Sequence, residues 1–483
     1  MPDTGPGVTR PVALAPGQLP DAVYNCGKCH NIPPPGILTK SQWPTVIEAM
    51  IARVEANALG PSPTKQEIAA VIAYYQQNAP DQLAQGCTTF VPSPLVFSAS
   101  LFGSPPPAQG PGTKPPIVGH IRVTDLDGDA RPDVLVCDSA NNLVIWMARD
   151  KGVWKEATLA QVNTPVHAEA ADILGTGQAQ IVVASLGGMT PTEDPVGAVY
   201  LIARDNAGRV GTIPLLTGAP RVSDVRPADL DGDGDLDIVV GAYGMYRTGG
   251  VIWLEQTAKG SFTPRVLKQV NGVGFVPTGD LNGDGKPDIV ALVSQQHEQV
   301  LALVNAGGGK FEERVLWQAQ HPLYGCASAE LVDLDRDGDL DVLFANGDAL
   351  DFDTSPKPYH GVQWLENHGS LKFEFHDLTR FYGAYRTAVG DLDADGDLDI
   401  VATSMSNHWD RSDAQAIIWL ENDGRQRFTV HPISPSPTCQ VAAEIGDFSG
   451  DGRPDILTGG MYVLPPYKRV GRVTLWTNGG AAH

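Results

Sequence analysis

Seven copies of one acidic nonapeptide, five tryptophans at a matching place behind them and a short helical stretch before the first copy predict a mainly β chain. The expected fold is a seven-bladed β-propeller with a small all-α domain at its N-terminus. The copies read DLDGDARPD from Asp125, DILGTGQAQ from Asp172, DLDGDGDLD from Asp229, DLNGDGKPD from Asp280, DLDRDGDLD from Asp333, DLDADGDLD from Asp391 and DFSGDGRPD from Asp447. Their starts lie 47, 57, 51, 53, 58 and 56 residues apart, the length of a four-stranded blade rather than of a helical repeat. The expected division is 20–82 for the helical domain, 83–117 for a closing strand and linker, and 118–483 for the ring.

The helical domain comes first. Trp43, Val46, Ile47, Met50 and Val54 fall on one face of a 3.6-period helix. A second helix opens at Thr64-Lys-Gln-Glu67, a capping box, and carries Ile68, Val71, Ile72 and Tyr75 inward. Ahead of both, residues 26–30 read Cys-Gly-Lys-Cys-His, followed by Pro33 to Pro35. That spacing attaches a c-type haem, with thioethers at Cys26 and Cys29 and His30 as axial ligand. A zinc half-site has the same spacing, but no second Cys/His pair lies nearby. In residues 1–119 the only methionine besides Met1 is Met50, and the only histidine is His30, so a His/Met-ligated iron has Met50 as its sixth ligand. The stretch 22–79 resembles a small class I cytochrome c. The resemblance implies one covalent haem c bound by Cys26, Cys29, His30 and Met50, and one-electron transfer.

Each blade follows one pattern. A short apolar run precedes the acidic loop and a β-branched run follows it, as at Asp237-Ile-Val-Val and Asp399-Ile-Val-Ala. Tryptophan marks the third strand at Trp146, Trp253, Trp364, Trp419 and Trp476, and this regularity indicates packing between blades. An aromatic opens the fourth at Trp154, Phe262, Phe311, Phe373 and Phe428. The last blade runs out of chain before its fourth strand, so Thr88–Phe97 is expected to supply it and close the ring.

The loops themselves suit a hard cation. Carboxylates at positions 1, 3, 5 and 9 with a carbonyl at 7 surround Ca2+ as an EF-hand loop does. The expected ligands are Asp125, Asp127, Asp129 and Asp133; Asp229, Asp231, Asp233 and Asp237; Asp280, Asn282, Asp284 and Asp288; Asp333, Asp335, Asp337 and Asp341; Asp391, Asp393, Asp395 and Asp399; and Asp447, Ser449, Asp451 and Asp455. In the copy from Asp172, Leu174, Thr176 and Gln180 replace carboxylates, so that blade is expected to be calcium-free, leaving about six Ca2+. The pattern resembles the FG-GAP/VCBS repeats of integrin α-subunits and many secreted bacterial proteins, over about 118–480. The resemblance implies a seven-bladed propeller with structural calcium; fold alone carries no function.

Residues 98–118, with Pro105 to Pro107 and Pro115-Pro116, read as a stiff surface linker that hangs the helical domain near the junction of the first and last blades. Polar and aromatic groups are expected at the propeller mouth opposite the acidic loops. They are Asp351, Asp353, Tyr359 and His360; His408, Trp409, Asp410 and Arg411; Tyr246 and Arg247; and His167, Asp224, His321, Tyr324, Tyr385 and Arg386. Among Cys87, Cys137, Cys326 and Cys439, the pair Cys137 and Cys439 is the better candidate disulfide, with buried free thiols as the alternative.

A formal charge of −22 argues against a nucleic-acid or anionic-membrane partner, and six divalent cations would offset about half of it. No apolar run spans a membrane. The start Met-Pro-Asp-Thr-Gly-Pro-Gly lacks the basic and apolar parts of an export signal, so the chain reads as a processed or engineered form, with a start methionine, of a periplasmic or extracellular protein. The expected function is electron transfer through haem, with a redox partner protein or small-molecule reductant and the propeller as docking or substrate-binding platform. Two alternatives stand beside it. One is a propeller enzyme, lyase/dehydratase or oxidoreductase, on a sugar-like substrate; the strands Trp364–Asn367 and Trp419–Asn422 resemble those of fungal aldos-2-ulose dehydratases. The other is a ligand-binding or adhesion propeller.

Overall fold

The computed structural model describes residues 21–24, 27, 30–57, 60–84, 88–104, 114–205, 208–295, 297–348, 350, 355–462, 466 and 471–481. Among them, seven antiparallel sheets follow one another around a ring, each strand paired to the next in chain order. The fourth sheet counts five strands because its inner edge breaks into Val273–Phe275 and Thr278–Gly279. Pro277, lacking an N–H for the ladder, sits in the break.

The seventh sheet is closed from upstream. Leu95–Phe102 pairs antiparallel with Val473–Ala481, placing Leu101 opposite Thr474. The strand starts inside Thr88–Phe97 and runs five residues beyond it. A ring sealed by a distant strand exposes no open edge at the junction.

The second strand of every blade is buried at all six positions, from Asp133–Asp138 in the first to Asp455–Gly460 in the seventh. Both faces of these strands meet a neighbouring blade, so the sequence shows a continuous apolar run rather than alternation. Trp253, Trp364, Trp419 and Trp476 are at most 2 % exposed; Trp253 packs on Ile289 and Leu301 of the next blade. Trp146 is only partly buried.

Upstream of the ring lie three helices: α1 (Asp21–Tyr24), α2 (Gln42–Ala56) and α3 (Lys65–Asn78). Val23, Leu38, Trp43, Val46, Ile47, Val71 and Tyr75 form a small core of their own. The Thr64 capping box is present, with Glu67 N–H on Thr64 Oγ1 at 3.2 Å and Thr64 N–H on Glu67 Oε2 at 2.7 Å. Leu323 and Tyr359 of the propeller pack against this core.

The helices therefore sit by the fourth and fifth blades, not at the junction of the first and last. The path of the chain explains the difference. Thr88 Oγ1 bonds to Arg380 of the fifth blade, Val91 N–H donates to Val430 O of the sixth at 3.0 Å, and the closing strand then joins the seventh. The segment after the helices thus runs along the outer rim across three blades. A second correction concerns sulfur: Cys137, Cys326 and Cys439 are buried and in no disulfide, while Cys87 lies outside the described residues. No helix among the described residues is long and apolar enough to cross a membrane.

Candidate functional site

Three groups of residues carry chemistry. The first surrounds His30. Cys26 and Cys29 lie outside the described residues. His30 is partly buried, and its Nδ1–H donates to Asn31 O at 2.8 Å. That bond fixes the tautomer and leaves Nε2 as the basic nitrogen, the arrangement of a metal-ligating histidine. The prolines that follow are clamped by aromatic side chains. Tyr75 Oη donates to Pro33 O and Trp43 Nε1 to Pro35 O, each at 2.9 Å, while the two rings stack at 3.8 Å. Met50 is half-buried at the edge of the same core. His297, in a loop of the fourth blade, is near enough to feel this group: burial, then Lys268 and His30, make its ring less basic.

The second group is the acidic loops. Carboxylate oxygens of Asp125, Asp127 and Asp133 lie within 4.8 Å of one another, as do those of Asp229, Asp231 and Asp233 and of Asp333, Asp335 and Asp337. The first aspartate of a loop accepts from the turning backbone: Asp229 takes the N–H of Gly232 at 2.8 Å and of Gly234 at 3.0 Å. Gly234 has φ +95°, a conformation that favours glycine at that turn. The last aspartate is a backbone hub. Asp341 Oδ2 accepts from Leu334 N at 3.0 Å and Oδ1 from Asn367 N at 2.7 Å, and burial lifts its carboxyl to about 7. Burial likewise raises Asp237 to about 6 and Asp399 to about 7. A cation would offset the crowding that goes with this burial.

The loops differ in a further way. Arg131 and Lys286, at the seventh position, bond back to the fifth-position carboxylates Asp129 and Asp284, with Nε and Nζ at 2.8 and 2.7 Å; Arg453 pairs with Asp451 in the same manner. The third, fifth and sixth blades have Asp235, Asp339 and Asp397 at that position instead. In the second blade a neutral network replaces the carboxylates. Leu174 N–H donates to Gln180 Oε1 at 2.8 Å and Gln180 Nε2 to Thr176 Oγ1 at 3.0 Å.

The third group lines the central channel. In each inner strand the register slips by one residue at the same place, between Val118 and His120 in the first blade and between Ala384 and Arg386 in the sixth. Such a slip re-aims the side chains that follow it. It delivers one layer made of His120, His167, Asp224, Phe275, Ser328, Arg386 and Ala442. Two residues further on comes a second layer of Arg122, Glu169, Arg226, Pro277, Glu330, Ala388 and Glu444.

These layers hold a dense charge network. His167 stacks on His120 at 3.7 Å, and its two ring nitrogens each lie 3.0 Å from a carboxylate oxygen, of Glu169 and of Asp224. Glu169 also takes Arg122 at 3.1 Å and Arg226 at 2.7 Å; Asp224 takes Arg226 at 3.2 Å and the Val276 N–H, freed by the broken strand, at 2.7 Å. Burial pushes the Glu169 carboxyl up, but Arg226, His167 and Arg122 outweigh it and hold it at about 2. Burial also opposes ionisation of Asp224, yet Arg226 and His167 keep it well below the usual range. Glu444 has weaker help, and burial raises it to about 7. Burial raises Glu330 as well.

The expected mouth residues do not converge on one site. His167, Asp224 and Arg386 join the channel; Tyr246 and Arg247 offer backbone N–H groups to Glu193 at 2.9 and 3.0 Å. His408 meets Tyr382 edge-on, and Arg411 pairs with Asp413. His321 and Tyr324 gather around Tyr359 beneath the helices, with Tyr359 stacked on Tyr324 at 6.2 Å. Asp351 and Asp353 lie outside the described residues. The channel residues His120, Arg122, Glu169, Arg226, Glu330 and Glu444 were not anticipated. They could have been found by aligning the repeats five and three residues before each loop.

Comparison with known proteins adds the repeat. A family model described as FG-GAP-like repeat matches residues 125–183, 172–240 and 280–344. No curated protein matches the sequence. Among solved structures, the chain is similar to one titled "Structure of Dos1 propeller", with a TM-score of 0.42 and 11 % identity over 72 % of this chain and 75 % of that one. The chain thus carries FG-GAP-like repeats, built into a seven-bladed β-propeller.

Proposed function

We propose that this chain is an exported c-type cytochrome, periplasmic or extracellular, whose propeller serves as a docking or substrate-binding platform. The observation that carries the reading is the His30 ring. Its Nδ1–H is committed to Asn31 O, leaving Nε2 free within a Cys-Gly-Lys-Cys-His motif. Cys26 and Cys29 would hold the haem c covalently, and His30 and Met50 would ligate its iron. When bound, haem supplies a one-electron couple whose potential follows from ligand identity, burial and hydrogen bonding. Tyr75 and Trp43 fix the prolines behind His30, and Leu323 and Tyr359 anchor the helical core to the ring. A redox partner protein or a small-molecule reductant would then meet a haem held steadily beside the broad propeller face.

Calcium belongs to the same proposal. Six loops carry the acidic pattern of a Ca2+ site, with carboxylate oxygens clustered in those of the first, third and fifth blades, and the second blade replaces them with a neutral amide network. The cation would stiffen the turn between first and second strands in six blades.

The channel favours a second reading, a propeller enzyme acting on a sugar-like substrate. Buried imidazole, carboxylate and guanidinium groups within hydrogen-bond distance are what acid–base chemistry requires. A pyridine haemochrome assay on exported, haem-matured protein separates the two readings. About one covalent haem per chain supports the cytochrome; none overturns it and moves attention to the channel.

A further inference from the structure

Three arginines reach the channel, and one of them, Arg386, makes no ion pair among the described residues. Arg122 and Arg226 are engaged by Glu169 and Asp224. Arg386 makes neither a hydrogen bond nor an ion pair among the described residues; its guanidinium lies over the Phe275 ring, 5.7 Å from the centroid. A guanidinium resting on a ring face keeps its N–H edge available.

A neighbour of Arg386 is also unsatisfied. The inner strands of the fifth, sixth, seventh and first blades pack on one another in succession. On the fifth, Ser328 is 1 % exposed and its Oγ has no partner, although it shares a strand face with Glu330. A buried hydroxyl without a partner calls for a missing group. On the seventh, Ala442 occupies the same layer, is buried and offers no polar side-chain group. Beyond it stands His120, 4 % exposed, whose Nδ1 faces the Ala168 N–H at 3.4 Å, so that Nε2 carries the ring proton.

We infer that Arg386, Ser328 and His120 form a binding site in the channel for a small carboxylate. The guanidinium would take the two oxygens side by side, with the Ser328 hydroxyl and the His120 Nε2–H as lateral donors. A metal ion is the poorer occupant, although His120, His167 and Glu169 bring ligand atoms within 4.8 Å of one another. Both Glu169 oxygens already receive arginine or histidine nitrogens, both His167 nitrogens face carboxylates, and three guanidinium groups would repel a cation. Glu330 and Glu444 share the channel with Arg386 without an ion pair to it among the described residues; burial raises both carboxyls against the pull of the arginines, and Glu330 is further occupied by the Thr387 hydroxyl at 2.7 Å. The site stands independently of the haem.

The test is calorimetric titration of the full chain with sodium acetate against sodium chloride at matched ionic strength. The expected result is saturable acetate binding that Arg386→Gln weakens roughly tenfold or more, and Ser328→Ala several-fold. Ser328→Ala removes a hydroxyl without a partner, so its melting temperature in the absence of acetate should match wild type. Chloride binding as tightly as acetate, or acetate binding unchanged in both variants, would overturn the assignment. If Arg386→Gln does not fold, Ser328→Ala and Arg386→Lys decide. Lys keeps the charge but loses the paired N–H edge, so unchanged acetate affinity in both would also overturn it.

Discussion

Asn367 of the fifth blade donates its Nδ2–H to Leu281 O of the fourth blade at 2.9 Å, tying one blade's third strand to its neighbour's acidic loop. The bond recurs as Asn305 to Leu230 at 2.7 Å, Asn478 to Leu392 at 3.0 Å and Gln256 to Ile173 at 3.0 Å. The first blade uses Trp154 Nε1 on Phe448 O at 2.9 Å. Because the same asparagine backbone N–H binds the last loop aspartate, loop shape and blade contact are coupled.

Removing that amide should therefore cost more than a surface substitution. Asn367→Ala leaves the carbonyls of Leu281 and Leu340 without their donor. The expected loss is about 1–3 kcal/mol, read from urea unfolding. A midpoint within error of wild type would mean that the bond does not hold the blades.

Calcium affinity should divide the loops into two classes. In the first, fourth and seventh blades a seventh-position cation competes for the fifth-position carboxylate. Lys286→Ala should thus tighten one of the weaker sites, about two- to tenfold for an exposed charge at this distance. Calorimetric Ca2+ titration measures it, and Gln180→Ala should leave the number of ions bound unchanged.

Stability should fall as pH rises through neutrality, and Glu444 contributes to the fall beside the buried loop carboxyls Asp237, Asp341 and Asp399. Burial lifts its carboxyl from the ordinary 4.5 to about 7. A folded-state value above the unfolded one adds stability that is complete below about 4.5 and is lost as pH passes 7. The full swing is on the order of 3 kcal/mol. Glu169, held at about 2, does not titrate in this window, whereas Glu330, raised by burial, contributes in the same direction. Thermal unfolding of Glu444→Gln between pH 5 and 8 should show a visibly shallower decline than wild type.

The anchor between helices and ring is equally exposed to test. Tyr359 packs on the helical core and its hydroxyl donates to Leu323 O at 2.8 Å. Tyr359→Ala should raise proteolysis in 21–84 while leaving the ring resistant, since local opening follows lost buried contacts. Equal cleavage in both proteins would place the anchor elsewhere.

The ring was legible because its determinants repeat. Each acidic loop, buried strand and tryptophan votes again, and an error in one blade is corrected by six others. Asp172–Gln180 was readable as the exception for the same reason: Gln180 stands where an aspartate should, and its amide bonds Thr176. The channel was less legible. His167, Asp224 and Arg386 attracted notice as isolated polar residues, but the register slip that turns them inward is set by backbone pairing, not by residue type. Glu330 and Glu444 look like ordinary strand polar residues until the ring closes around them. The seat of the helices differs from the expectation because Thr88, through its hydroxyl, and Val91, through its backbone N–H, bind the rim by a few hydrogen bonds with no sequence pattern.

The most direct test of the central claim is an optical spectrum of exported, haem-matured protein, oxidised and reduced, beside Met50→Ala. The account predicts a low-spin c-type spectrum with a methionine–iron charge-transfer band in the oxidised form, absent from the variant. A covalent haem whose spectrum is indifferent to Met50→Ala would contradict the ligand assignment, and a chain that takes up no haem would contradict the cytochrome itself.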